Sequence, residues 1–421
     1  MLQLSDGDRA MRDGDRGPAA ALAMAILVRM AAVYGATELM DISQAHIDST
    51  IYLGDATLEF AERLAALGAR VQVPTSLNVS GVDECGWKDW AVSADWAAKA
   101  ARQMLAYETM GTVPMWTCAP YQTHMRPVFG QQIAWGESNA IAFANSVIGA
   151  RTERYPDLLD ICCAITGRVP AVGLHLTEHR AGQMLLRLAG VPPALQQDDQ
   201  FFAVLGHLVG KLAEDRIPVI DGIVVRPMED QLKAFAAASS SSGRVALFHM
   251  VGVTPEAPTL AAAFQGRAAP AAMAITTADL RAARRELTTA DGQPLDMVIL
   301  GSPHFSLAEF SRLAPLVAGR QAHPRVKFLV TSSRLMKERA AETGVLAPIV
   351  AFGAQITLDT CILASPMLPP EIRTLMTNSA KYAYYAPSLL NTRVTFGSLA
   401  DCVRSAIEGR VVRDESLWHI A

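Results

Sequence analysis

The chain has 421 residues, too many for one ordinary hydrophobic core, so two or three lobes are expected. Hydrophobic residues make up 51% and charged residues 19%, a balance that excludes a disordered chain and suits a packed enzyme. The net charge is -4 and there is no dense Lys/Arg stripe with interleaved aromatics, which argues against a nucleic-acid partner.

The first residues are polar and acidic, unlike a signal peptide. The apolar stretch 19–32 contains Arg29 and falls short of the ~20 apolar residues that a bilayer span needs. It reads as a helix with Pro18 in its first turn and Gly35 beyond its end. The expectation is a cytoplasmic protein with no membrane partner. Six cysteines are scattered along the chain with no extracellular signal, so a disulfide framework is not expected.

Further along, 36–42 and 69–73 read as strands, the second stopped by Pro74, and 57–67 reads as a helix ending at Gly68. The middle, 133–212, is expected to be helix-rich, with a Pro/Gln/Asp-rich interruption at 191–200. The serine run at 237–243 reads as a loop and 244–251 as a buried strand. This suggests an N-terminal α/β lobe or lobes over 1–240, with the helix-rich middle, and a C-terminal α/β lobe over 241–421. Strands at 297–300 and 326–330 run into polar turns. Strands alternating with helices predict an α/β fold with largely parallel sheets, whose ligands sit beyond the carboxyl ends of strands.

The common nucleotide, zinc-protease and nucleophile-elbow signatures are absent. His175 and His179 are four apart, the spacing of paired metal ligands on one helix face, with loop or core histidines as the bland alternative. Polar clusters stand beside apolar strands. They are Ala45-His-Ile-Asp48, Pro74-Thr-Ser-Leu-Asn78, Trp116-Thr-Cys-Ala-Pro-Tyr-Gln122, the run opening Trp135-Gly-Glu-Ser-Asn139, Gly301-Ser-Pro-His304, Leu358-Asp-Thr-Cys361 and Thr377-Asn-Ser-Ala-Lys381. Glu137 to Asn139 open an apolar helix, where they serve either as caps or as groups presented to an anion.

Taken in order, GATELMDISQAHIDS, VQVPTSLNVSGVD, WTCAPYQ, IAWGESNAIAFANSVIGARTER, GRVPAVGLHLTEHR, LGSPHFSLAEF, LDTCILASP and TNSAKYAYYAP resemble the aconitase X family over nearly the whole chain. The resemblance implies an aconitase-like fold of α/β lobes around a cluster-bearing cleft. It also implies a hydro-lyase acting on a small hydroxy acid. One branch dehydrates cis-3-hydroxy-L-proline and an archaeal branch dehydrates mevalonate 5-phosphate.

By the same resemblance an iron–sulfur cluster is held at Cys118, position 302 and Cys361. Here position 302 is Ser, a poorer iron ligand than a thiolate. This leaves three readings: a [2Fe–2S] form completed by other residues, ligation by Ser302 itself, or a labile iron. The resemblance further implies that a small swivel domain carrying a catalytic serine is lacking here and is supplied as a separate small subunit.

Dehydration requires removing the Cα proton and expelling a β-hydroxyl. His46, Glu137 and His304 are the acid/base candidates. Thr75, Ser76, Asn78, Ser138, Asn139, Ser379 and Lys381 are the substrate-binding candidates. The absence of an Arg/Lys cluster at the motifs, together with a Lys-poor composition, favours the hydroxyproline branch over the phosphorylated substrate. A non-catalytic small-acid-binding relative and a metal-independent isomerase are the other readings.

Overall fold

The computed structural model describes residues 2–290 and 294–419. Its strands are short and almost all parallel. β1 (Leu39–Asp41) pairs antiparallel with β5 (Arg168–Pro170). β2 (Ala45–Ile47), β3 (Thr75–Leu77) and β4 (Ala134–Trp135) form a parallel sheet ordered β3-β2-β4. β6 (Met184–Leu188), β7 (Pro218–Asp221), β8 (His249–Met250) and β9 (Met273–Ile275) form a second, ordered β8-β7-β6-β9. The third contains β10 (Met297–Leu300), β11 (Lys327–Ser332), β12 (Ala354–Leu358), β13 (Thr374–Thr377) and β14 (Arg393–Phe396), ordered β12-β11-β10-β13-β14. This is the expected α/β class. Every residue of β2, β3, β10 and β13 is buried, as befits parallel sheets covered on both faces.

The helix at Pro18–Val33 starts on its proline as expected. Among the described residues no single helix is long and apolar enough to cross a membrane.

Several local expectations are corrected. Residues 69–73 are not a strand, because Val71 N–H bonds Met110 O at 3.0 Å and Gln72 N–H bonds Ala164 O at 2.8 Å, and neither partner lies in a sheet. The ladder opens at Pro74, whose carbonyl accepts from Ala45 N–H at 3.0 Å, so the run Thr75–Leu77 read as a strand end is the strand itself. Within 244–251 only His249 and Met250 pair. The interruption at 191–200 holds a short helix, Pro193–Gln197, and the middle mixes helices with β5 and β6.

The serine run is helix, not loop. It forms the last turns of Glu229–Ser242, so the 240/241 division falls inside that helix. Ser239, Ser240 and Ser241 are buried and bond back to carbonyls three or four residues earlier, which satisfies their hydroxyls without breaking the helix.

The third sheet has a topological switch point. From β10 the chain moves outward through β11 to β12, then returns to the other side of β10 as β13 and continues to β14. The crevice between the carboxyl ends of β10 and β13 is therefore where such sheets place ligands. Gly301 makes the turn out of β10 at φ 98, where a Cβ would collide with the Thr331 carbonyl.

Candidate active site

The carboxyl ends of the first and third sheets face each other. Ser80 N–H donates to Asp359 O at 2.6 Å, Thr360 Oγ1 donates to Ser80 O at 2.7 Å, and Leu358 N–H donates to Asp83 Oδ2 at 3.0 Å. The polar clusters picked out in the sequence lie at or near these ends.

Cys118 follows a segment that extends the first sheet, with Val113 N–H bonding Thr75 O at 2.7 Å and Thr117 N–H bonding Leu77 O at 3.2 Å. Its Sγ accepts the His304 N–H at 3.2 Å. Cys361 lies just beyond β12 and shares a small apolar cluster with Cys118, Val79 and Ala364. Burial and then the nearby Glu137 carboxylate push the Cys118 thiol up to about 12, while Lys381 and the His304 N–H pull it down. Burial also raises Cys361, opposed by the Leu363 and Ala364 N–H groups and by Lys381. Ser302 stands two residues before the His304 N–H. Its carbonyl accepts from Ser379 Oγ, and it lines a cavity of about 100 Å³ at the β10/β13 crevice with Ser379, Lys381, Lys233 and Arg312. Among the described residues no three His, Cys, Asp or Glu side chains converge as a metal site.

Glu137 and Lys381 come from opposite sheets and pair at 2.6 Å, both nearly buried. Glu137 also caps the helix Ser138–Phe143, accepting from Ala140 N–H at 2.8 Å. Asn139 donates to Glu137 and to Cys118 O and accepts from Tyr121 OH at 2.7 Å. Ser138 Oγ lies 3.3 Å from Glu137 Oε1. Ser379 caps the helix Ala380–Leu389, accepting from Tyr382 N–H at 3.2 Å.

The histidines differ from what their types suggested. His304 is fully committed. Its Nε2 donates to Thr360 O at 3.3 Å, its Nδ1 accepts from Thr117 Oγ1 at 3.2 Å, and burial lowers it to about 4. His46 sits inside β2 with Nδ1 2.9 Å from Ser76 Oγ, and burial lowers it to about 3. Its Nε2 has no protein partner. Thr75 Oγ1 is used up on Val73 O at 2.8 Å. His175 and His179 lie in consecutive 3-10 turns, Gly173–His175 and Thr177–His179, and not on one helix face. His175 is buried between Tyr155 OH and Gln132 Oε1, each at 2.6 Å, while His179 is exposed.

Two groups have more weight than the sequence suggested. Asp48, just past β2, accepts from Asn78 Nδ2, and its carboxyl is held well above the usual range by burial and then by Glu137, Asp157 and Asp160. Asp48 stood inside a quoted cluster, but its neighbours arrive from residues 78, 137 and 160. Tyr382 OH lies 3.1 Å from Thr331 Oγ1 and beside Cys361. Its only sequence signal was its place in TNSAKYAYYAP.

Family models for the first, second and third domains of aconitase X match residues 1–178, 182–285 and 295–408. The chain is 50% identical over 414 residues to a cis-3-hydroxy-L-proline dehydratase of Pseudomonas aeruginosa, covering 98% of this chain and 71% of that protein. It is 44% identical over 415 residues to one of Hypocrea jecorina, covering 97% and 69%. It is 34% identical over 405 residues to a phosphomevalonate dehydratase large subunit of Methanothermobacter thermautotrophicus, covering 96% and 98%. A solved structure of Thermococcus kodakaraensis aconitase X in its holo-form superposes with a TM-score of 0.86 at 30% identity, over 96% of this chain and 100% of that one. With three domain models and these relatives spanning nearly its full length, the chain belongs to the aconitase X family.

Proposed function

We propose that the chain is a hydro-lyase that removes water from cis-3-hydroxy-L-proline to give a pyrroline-2-carboxylate, working in the cytoplasm with a small swivel-domain subunit. The observation that carries the substrate is the charge balance of the crevice. Each cation lining the β10/β13 cavity is already matched: Lys381 by Glu137, Lys233 by Asp230 and Glu309, and Arg312 by Asp230. Asp199 adds another carboxylate to the same wall. A phosphate would find no cation in this lining without a carboxylate partner, whereas a small zwitterion needs only modest compensation. The separate small subunit is supported by the phosphomevalonate relatives, which are named large subunits and are matched over 98% of their length in the example above.

Cys118 and Cys361 fit an iron–sulfur cluster, with Ser302 at the third position. Both sulfurs receive backbone N–H groups and lie within the field of Lys381, which is how proteins stabilise ligating thiolates. When bound, the group supplies a Lewis acid for the departing hydroxyl.

The chain's own residues do the rest. Asp48, whose raised carboxyl retains its proton to higher pH and which sits beside Glu137, is the candidate to protonate the leaving hydroxyl. Glu137, paired with Lys381, is the acid/base candidate for the Cα proton, alone or with a base from the small subunit. Ser138, Ser379 and Lys381 orient the substrate, and Asn139, whose amide is spent on Glu137, the Cys118 carbonyl and Tyr121, holds that wall in place. Asn78 holds Asp48, and Thr75, its hydroxyl spent on Val73 O, opens β3. His304 orients Cys118, and His46 with Ser76 supports β2 from within.

The test is turnover of cis-3-hydroxy-L-proline by the chain with its small subunit, purified without oxygen and assayed for iron and sulfide. Cys118→Ala should lose iron, sulfide and turnover together. Full activity and unchanged visible absorption in that variant would refute the cluster assignment, and turnover of mevalonate 5-phosphate alone would refute the substrate.

A further inference from the structure

We propose that Lys233 is a positioning residue that reaches from the second domain to hold the His304 peptide against Cys118. The inference rests on the reading of Cys118 given above.

Lys233 lies in the helix Glu229–Ser242 and is 2% exposed. Its ammonium pairs with Asp230 Oδ1 at 3.2 Å and with Glu309, and donates to the His304 carbonyl at 3.3 Å. The same two acids grip the turn that follows His304. Asp230 accepts from Ser306 Oγ at 2.9 Å, and Glu309 accepts from Ser306 N–H at 2.8 Å. The residue is therefore pinned at both backbone ends, its N–H on the Cys118 sulfur and its C=O on the ammonium. These two contacts join the three family domains, since Cys118 lies in the first, Lys233 in the second and His304 in the third.

A structural role alone does not call for a lysine here. Well-packed apolar residues commonly replace a buried ion pair at little cost. What the ammonium adds is a directed donor for one carbonyl, and through it a fixed direction for the N–H that faces sulfur. Hydrogen bonds to ligating sulfurs tune an iron–sulfur group and its retention.

The test compares Glu309→Gln with Lys233→Met/Glu309→Gln in the full chain. The first loses the Lys233–Glu309 pair and keeps the pair with Asp230, while the second loses both pairs and the donor to His304. Amide hydrogen exchange across 302–306 is read on chain freed of iron, and iron loss to a chelator is read on loaded chain. The first variant should match the parent. The second should exchange at least about ten-fold faster, the scale of one charge-assisted hydrogen bond, and release iron faster. Equal exchange in the two variants overturns the proposal. Lys233→Gln/Glu309→Gln, whose amide is too short to reach His304, gives the same comparison should the methionine variant not fold. Because exchange needs no cluster, failure to load iron would fault the cluster reading and leave exchange to judge Lys233.

Discussion

Glu137 and Lys381 are 244 positions apart in sequence and 2.6 Å apart in space. Neither charge is tolerable alone at that depth, because a buried ion without its partner costs several kcal/mol. Lys381→Met strands Glu137 beside Asp48 and should lower stability by about 3–5 kcal/mol while abolishing turnover. Adding Glu137→Gln removes the stranded charge and should recover most of the stability but none of the activity. Urea midpoints and the dehydration assay on both variants check this, and equal stability of the single and double variants would contradict it. The reading of polar clusters beside apolar strands brought both residues forward from the sequence. It could not show that they form one unit, because pairing depends on how two sheets abut.

At the scale of elements, Ser239–Ser242 shows how a local reading is overridden. Serine is a weak helix former and a frequent loop residue, so the run looked like a boundary. In the fold it is the small face on which the helix Phe201–Ala213 lies. A Cβ at Gly206 would sit 2.6 Å from Phe235 O and 2.9 Å from Phe235 Cα. Two helix backbones approach this closely only over Gly, Ala and Ser, and the serine hydroxyls are satisfied within their own helix or on the neighbour, as when Ser242 Oγ bonds His207 O at 2.8 Å. Gly206→Ala should therefore destabilise by about 1–3 kcal/mol through overpacking, against the usual gain of alanine in a helix. A guanidinium midpoint at or above that of the parent would show that the helices can separate at no cost. Elements read from simple periodicity fared better. Met297–Leu300 matches its expected bounds, and Asp55–Ala66 and Pro18–Val33 lie within two residues of theirs.

Over the whole molecule, burial converts titratable side chains into a record of the fold. His46, His175 and His304 are held near 3, 3 and 4, far below the ordinary 6.5, because each ring is shut away from water. A folded value below the unfolded one means that stability is complete above about 6.5 and is lost as the pH falls, by about 1.4 kcal/mol per unit for each histidine. Asp160 and Asp199 run the other way. Burial raises both to about 6, so their contribution is present below the unfolded carboxylate value and is lost as the pH rises through 6. Between about 4 and 6 these two carboxylates offset part of the acid sensitivity that the histidines impose. The sequence could not show this balance, since the spacing of His175 and His179 does not say whether either ring is buried. It is the 3-10 turn at Gly173–His175, with Tyr155 and Gln132 closing over the ring, that makes His175 a neutral core residue. His175→Gln removes one titrating group away from the reaction. The stability difference between pH 7 and pH 5 should then shrink by about 2 kcal/mol, one and a half units' worth for a single histidine. Denaturant midpoints of parent and variant at the two pH values measure it directly. An unchanged difference would mean that His175 takes up its proton without unfolding the turn, and that this histidine does not carry its share of the acid sensitivity.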